Sequence, residues 1–109
     1  MLPKKNRIPK GDFKMIFSKG KTFYTDYFVI KYIQNPNVRN PQFAVVASTK
    51  VGNAVVRNRA KRITREILRM YTPKVKSTAQ IIIICKPSMT TVKHQQLEKE
   101  ISSILDKVT

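Results

Sequence analysis

The sequence contains few of the side chains with which proteins usually perform hydrolytic or redox chemistry. Its 109 residues include one cysteine, one histidine and six acids. The single cysteine, Cys85, excludes an internal disulfide, and the single histidine, His94, excludes a histidine pair acting as acid and base. Ligands for a zinc site are too few, and no acids are paired at strand ends, where a two-metal centre would be built. The sequence therefore predicts no catalytic or metal-binding residues in the protein itself.

Long apolar segments are also missing. The longest run, AQIIIIC at residues 79–85, is far shorter than the roughly 20 residues that span a bilayer. The basic N-terminus has no signal-peptide pattern, and an unpaired cysteine suits a reducing compartment. These features predict a cytoplasmic protein that has no membrane partner.

Positive charge is what the sequence has in excess. The 22 lysines and arginines against six acids give a formal net charge of +16. Hydrophobic residues make up 41% of the chain, which is enough for a folded domain. A folded protein with so strong a field needs a polyanionic partner. Nucleic acid is the leading candidate, and an anionic membrane surface is second, although the cations are spread too widely for a lipid-surface helix.

Local patterns predict one domain over residues 1–109, in which residues 1–10 form a flexible basic arm. A short helix with Asp12 as its N-cap follows, and the runs DYFVIKYI and QFAVVAST are typical of strands. A long basic helix, capped by Asn53, is expected to run to about Tyr71. AQIIIIC then forms a strand buried on both faces, and an amphipathic helix ends the chain. The order of helix, two or three strands, helix, strand and helix indicates the α+β class, arranged as a single-domain α/β sandwich.

The basic helix carries the strongest pattern in the sequence. The segment KVGNAVVRNRAKRITRE, residues 50–66, holds six cations and one acid. On a helical wheel, roughly one third of the surface is apolar. The apolar residues, predicted to pack on the sheet, are Val56, Ala60, Ile63, Ile67, Met70 and Tyr71. The opposite arc carries Arg57, Asn58, Lys61, Arg62, Arg65 and Arg69. At one margin, Arg59 and Glu66 are expected to pair.

The cationic arc has no acid to relieve its own repulsion. Neighbouring like charges destabilise a helix by a few tenths of a kcal/mol per pair, and a face that only needs solubility usually mixes acids with bases. We therefore favour phosphate contact over a merely solvated face, because the planar fork of arginine matches phosphate oxygens. Gly52, beside the start of the helix, adds a weaker indication, since it allows an anion to approach the backbone closely.

The same segment closely resembles the signature of the bacterial ribonuclease P protein component, with an Arg-Asn-Arg core at Arg57-Asn58-Arg59. The resemblance extends to RIPKGDFKMIFSKG, FVIKYI and AVVAST before it and to IIIICKP after it, in the family's order. It therefore covers almost the whole chain. It implies the element order αβββαβα and a left-handed βαβ crossover that contains the basic helix.

The resemblance implies a function in transfer-RNA processing. The family's protein is a subunit of a ribonucleoprotein endonuclease that removes the 5′ leader from precursor transfer RNA. The RNA subunit carries the catalytic site and its Mg²⁺ ions, so the protein alone is expected to have no activity and to bind no metal strongly. The implied partners are the catalytic RNA and precursor transfer RNA. The oligomeric state is left open.

The resemblance also implies two RNA-contacting surfaces. The first, on the basic helix and the loop before it, comprises Lys50, Asn53, Arg57, Asn58, Arg59, Lys61, Arg62 and Arg65. The second, a cleft for the single-stranded leader, comprises Phe13, Phe17, Val29, Lys31, Ser48 and Lys50. Strand alternation supports the middle pair, because Val29 and Lys31 share one face of their strand while Phe28 and Ile30 share the other.

Two positions depart from the family's pattern. Lys31 stands where an aromatic residue is common, and Thr49 stands where another cation is expected. Stacking on the leader should therefore depend more on Phe13 and Phe17, which without the resemblance would be interpreted as core residues of a helix. Lys31 would attract phosphate instead.

Two other classes of function fit part of the sequence. A structural ribosomal or assembly protein would share the size and charge, and it would bind ribosomal RNA without affecting transfer-RNA processing. Helix-turn-helix DNA binding fits less well, because the basic helix lies between strands and lacks a short preceding helix packed for groove insertion.

Overall fold

The computed structural model describes residues 2–108 of the chain. Within them, the three α-helices are α1 (Phe13–Lys19), α2 (Ala54–Tyr71) and α3 (His94–Val108). The four strands in the same range are β1 (Lys21–Tyr24), β2 (Phe28–Gln34), β3 (Gln42–Val46) and β4 (Ala79–Cys85). The α+β class and the order αβββαβα are confirmed. Local patterns alone predicted two or three strands before the basic helix, and β1 is the third.

The strands form one mixed sheet in the order β1-β2-β4-β3. β2 pairs antiparallel with both β1 and β4, and β4 pairs in parallel with β3. β4 is therefore an interior strand, and six of its seven residues are buried, as its apolar run predicted. Because α2 connects the parallel strands β3 and β4, these elements form a βαβ unit. The left-handed sense of this unit stays a prediction.

Helices α2 and α3 cover one face of the sheet, which we call the closed face. The core beneath them includes fully buried residues from β2, β4, α2 and α3, among them Phe28, Ile30, Ile81, Ile83, Ile67 and Ile101. Burial of this apolar surface is the main favourable contribution to folding. No helix within residues 2–108 combines the length and the apolar character that crossing a membrane requires.

The buried side of α2 is rotated relative to the predicted one. Ala60 and Ile67 are buried as expected, but Met70 is 61% exposed, so its predicted core position is wrong. Thr64 and Leu68 are fully buried instead. Thr64 tolerates burial because its hydroxyl donates a hydrogen bond to the Ala60 carbonyl at 2.8 Å, so the buried hydroxyl has a partner.

The opposite face of the sheet, the open face, is covered only in part, by α1. Ile16 of α1 is fully buried there, with Ile8 and Ile82. Asp12 precedes α1, but its side chain makes no capping hydrogen bond, so the predicted capping role is wrong. Its carboxylate instead accepts a hydrogen bond at 2.9 Å from the buried side chain of Gln80, which needs a partner more than the exposed helix end does.

The N-terminal segment is packed, so the predicted flexible arm is wrong for residues 2–8. Leu2, Asn6 and Ile8 are buried. The Ile8 amide donates to the Phe43 carbonyl at 3.2 Å, and the Asn6 side chain donates to the Pro41 carbonyl at 2.7 Å. These contacts cover the outer edge of β3, whose backbone groups need partners. Met1 lies outside the described residues.

Candidate nucleic-acid interface

A glycine and an asparagine fix the start of the basic helix α2. Gly52 has a φ of +153°, and a Cβ at this position would lie 2.9 Å from the Cβ of Val56. Only glycine fits both the backbone conformation and the space. The Asn53 Oδ1 accepts a hydrogen bond from the Val56 amide at 3.0 Å, which confirms the predicted cap. The exposed Asn53 therefore has a structural role in addition to any contact with RNA.

The predicted outer arc of α2 forms a continuous cationic stripe. Its members are Arg57, Asn58, Lys61, Arg62, Arg65 and Arg69, and each is exposed or half-buried. Within residues 2–108, the contact with ion-pair geometry joins the His94 Nδ1 and the Glu98 carboxylate, at 3.9 Å, and none involves the stripe. The predicted pairing of Arg59 with Glu66 is absent there, because seven positions on a helix separate the two residues by about 10 Å along its axis. The charge of the stripe is therefore uncompensated.

The docked N-terminal segment extends the stripe beyond α2. Arg7, whose Nε donates to the Leu2 carbonyl at 2.9 Å, shares a cavity of about 250 Å³ with Arg65. Lys5 shares a second cavity, of about 440 Å³, with Arg69. Sequence reasoning missed this arrangement because it treated the segment as a free arm.

The open face brings together several of the predicted cleft residues. Phe17 of α1 is 43% exposed, and the Lys31 Nζ lies 5.4 Å from the centre of its ring and 3.4 Å from its carbonyl oxygen. Val29 and Lys31 of β2 are both half-buried. Phe13 is half-buried and packs against the small cluster around Ile16, so it contributes more to packing than Phe17 does.

The remaining predicted cleft residues, Ser48 and Lys50, lie on the exposed loop between β3 and α2. The Lys50 amide donates to the Ser48 Oγ at 3.3 Å. This loop leaves the sheet after Val46, the last residue of β3. Val46 is aligned with Ile84, which is aligned with Val29. The loop therefore starts at the end of the sheet where the cleft residue Val29 lies, and it connects the open face to the cationic stripe.

Sequence reasoning missed three residues of the open face, which are Tyr24, Ile84 and Val46. Tyr24 is aligned with Val29 in the antiparallel pair β1–β2, so Tyr24, Val29, Ile84 and Val46 form one row across the sheet, which we call the apolar row. Directly aligned residues point to the same face. Tyr24 is 72% exposed and Val46 is 37% exposed. Residues 21–24, KTFY, show no alternation of polar and apolar residues, and the register that aligns them with β2 and β4 depends on distant residues.

Glu98 and Cys85, an acid and the single thiol of the chain, both have structural partners. Glu98 accepts a hydrogen bond from the Tyr71 hydroxyl at 3.1 Å, and this bond raises the pKa of the Tyr71 phenol. Burial raises the pKa of the Cys85 thiol, which lies 3.7 Å from the Thr64 hydroxyl. In the part of the chain that the structure describes, no three histidine, cysteine or acidic side chains form a group able to hold a metal ion.

A four-stranded sheet with a half-open apolar face and an uncompensated cationic helix defines a class of small basic α+β proteins with a polyanion-binding surface. Comparison with known proteins gives the family. The ribonuclease P family model matches residues 2–109, and the chain belongs to this family.

Relatives named ribonuclease P protein component align over nearly the whole chain. The protein of Alkaliphilus metalliredigens is 31% identical over 104 residues, which cover 94% of this chain and 93% of the relative. That of Syntrophus aciditrophicus is 33% identical over 107 residues, which cover 97% and 89%. The family is thus supported along the full length of the domain.

Solved structures of the same family share the fold. A Staphylococcus aureus RNase P protein mutant, described as defective in mRNA degradation, superposes with a TM-score of 0.86 at 28% identity and covers 94% of this chain and 87% of its own. The RNase P protein of Thermotoga maritima superposes with a TM-score of 0.83 at 25% identity, covering 94% and 97%. The mixed α+β architecture is that of these proteins.

Proposed function

We propose that this protein is the protein subunit of a ribonuclease P ribonucleoprotein. It binds the catalytic RNA and precursor transfer RNA, holds the single-stranded 5′ leader, and assists the removal of that leader in the cytoplasm. The observation that carries the proposal is the junction at one end of the sheet. There the open face, with Phe17, Val29 and Lys31, meets the loop that leads into the cationic stripe.

The open face suits a single strand better than a duplex. An exposed aromatic ring stacks on any base, and such stacking contributes roughly 1–3 kcal/mol per base. Phe17 offers such a ring, and Lys31 lies beside it. Stacking of this kind requires an unpaired base, which the leader of a precursor transfer RNA supplies. It also tolerates different leader sequences, because every base has a flat face.

The cationic stripe suits the backbone of a folded RNA. Its side chains project from a helix of 18 residues, which is about 27 Å long. Arginine and lysine on such a helix contact phosphates without reading bases. The loop residues Lys50 and Asn53 lie between the stripe and the open face, so a catalytic RNA and its substrate can occupy adjoining surfaces.

In this proposal, the RNA subunit and its Mg²⁺ ions perform the chemistry of cleavage. The contribution of the protein is electrostatic, because a surface with a net charge of +16 lowers the repulsion between two RNA molecules. We expect the protein to lower the Mg²⁺ concentration needed for cleavage and to show no cleavage by itself.

Reconstitution with a bacterial ribonuclease P RNA tests this proposal. Cleavage of precursor transfer RNA is measured over a Mg²⁺ titration with and without the protein, beside a protein-only reaction. The protein should shift the titration to lower Mg²⁺ and should tighten precursor binding more than mature transfer-RNA binding. An unchanged titration, together with tight binding to ribosomal RNA, would instead support the ribosomal or assembly class.

A further inference from the structure

Tyr24 is the most exposed aromatic residue of the open face, and the predicted leader site does not include it. Its side chain is 72% exposed, against 43% for Phe17. It ends β1 at the edge of the sheet and is aligned with Val29. The apolar row therefore runs from this ring across β2 and β4 to Val46. Tyr24 and Val46, at the two ends of the row, are exposed, and Val29 and Ile84 between them are half-buried. A contiguous apolar patch that is open to solvent marks a candidate interaction site.

A lysine is held beside the Tyr24 ring, while Asp26 and Glu100 share with Tyr24 the lining of a cavity next to α3. The Lys86 Nζ lies 6.0 Å from the centre of the Tyr24 ring, and it donates a hydrogen bond to the Thr25 carbonyl at 2.6 Å. This bond holds the ammonium group beside the ring. Lys86 follows the end of β4 and Lys50 follows the end of β3. Because β3 and β4 are parallel, both cations lie at the end of the sheet where the apolar row lies.

Tyr24 lies near the position in the predicted cleft at which an aromatic side chain is missing. Lys31 stands where the family resemblance implies an aromatic residue, and its ammonium group already contacts the ring and carbonyl of Phe17. Thr22 is aligned with Lys31 and Tyr24 with Val29, so Tyr24 and Lys31 are diagonal neighbours, about 7–8 Å apart. A strand of RNA that stacks on Phe17 and passes Lys31 is thus within reach of the Tyr24 ring.

We propose that Tyr24 is a second stacking position for the single-stranded 5′ leader, with Lys86 contacting the adjoining phosphate. This inference rests on the proposed leader-binding function of the open face. The occupant is an unpaired RNA strand because the site combines an exposed ring with held ammonium groups, and each nucleotide supplies a flat base and an anionic phosphate. The sequence-tolerant character of stacking is retained, since tyrosine, like phenylalanine, stacks on any base.

The test compares Tyr24→Ala with Tyr24→Phe in the reconstituted holoenzyme. Affinity is measured for mature transfer RNA and for precursors whose leaders are lengthened one nucleotide at a time. Tyr24→Ala should weaken binding of longer leaders by about tenfold and remove one step from the plot of affinity against leader length. Tyr24→Phe should preserve that step, and mature transfer RNA should bind equally to both variants. Lys86→Met should produce a smaller loss and a shallower salt dependence.

Phe17→Ala, measured in parallel, separates this inference from the function on which it rests. If Phe17→Ala weakens leader binding and Tyr24→Ala leaves every step intact, the second stacking position is wrong and the leader-binding function stands. If neither variant distinguishes precursor from mature transfer RNA, the leader-binding function itself is wrong. Thermal unfolding of Tyr24→Ala should match that of the unsubstituted protein, because the side chain is exposed.

Discussion

The closed and open faces of the sheet are built from the same strands but differ in how completely they are covered. Along β2, Phe28 and Ile30 are fully buried beneath α2 and α3, whereas Val29 and Lys31 are half-buried on the face that α1 covers in part. One strand thus contributes to the core with alternate residues and to the proposed binding surface with the others. If the open face binds RNA as proposed, stability and RNA binding can be altered separately in this protein.

The largest expected effect comes from the closed face. Ile67→Ala removes a fully buried side chain of α2 and should lower the free energy of unfolding by about 2–5 kcal/mol. Denaturant unfolding followed by circular dichroism measures the change. Met70→Ala on the same helix is the matched control, since an exposed side chain should change the free energy by less than about 0.5 kcal/mol. Equal losses from both variants would contradict the rotated buried side of α2.

Substitutions on the open face should change RNA affinity rather than the free energy of unfolding. Phe17→Ala should weaken precursor binding by about 1–3 kcal/mol and leave mature transfer-RNA binding unchanged, since in the proposed function only the leader stacks on this ring. Fluorescence titration of the reconstituted particle measures both affinities. Phe13→Ala provides the contrast, because the half-buried Phe13 packs with Ile16 and its removal should also lower stability. A large stability loss in Phe17→Ala would place its ring in the core.

Asn53 lies at the junction between the open face and the cationic stripe, and two substitutions there separate its structural role from contact with RNA. Asn53→Ala removes the α2 cap and should lower the free energy of unfolding by about 1 kcal/mol. Asn53→Asp retains a capping oxygen, so it should preserve stability, while its negative charge weakens RNA binding. Thermal unfolding and filter-binding assays measure the two effects. RNA binding that is unchanged in Asn53→Asp would assign Asn53 a structural role only.

The smallest effect is expected for a single residue of the cationic stripe. Arg62→Ala should reduce the slope of the logarithm of RNA affinity against the logarithm of salt concentration by about 0.7–0.9 for the lost phosphate contact. Binding to the catalytic RNA at a series of salt concentrations measures this slope. Lys99→Ala, an exposed cation on α3, should leave it unaltered. If both variants change the slope equally, the stripe acts only through net charge.

Local patterns predicted the parts of the fold that depend on neighbouring residues. The apolar run of β4 indicated burial on both faces, Asn53 indicated the start of α2, and alternation along β2 separated Lys31 from Ile30. Each of these depends on a few adjacent side chains. The cationic stripe was predicted for the same reason, because it follows from the periodicity of a single helix.

The errors occurred where distant residues decide the outcome. Asp12 does not cap α1 because its carboxylate accepts a hydrogen bond from Gln80, which lies 68 positions away in the sequence. The N-terminal segment docks because β3 offers an unpaired edge. That β3 is an outer strand can be predicted only when the strand order is known. Tyr24 joins the open face through its alignment with Val29 and, across β2, with β4. Sequence spacing does not reveal such register.

The packing of residues 2–8 against β3 has a consequence for association between molecules. An uncovered outer strand presents unpaired amide and carbonyl groups, onto which a strand from another chain can add. In this protein Ile8 occupies part of that edge by bonding to Phe43. Shortening the chain past Ile8 would uncover this edge, so we expect the shortened protein to associate with itself more readily than the full chain.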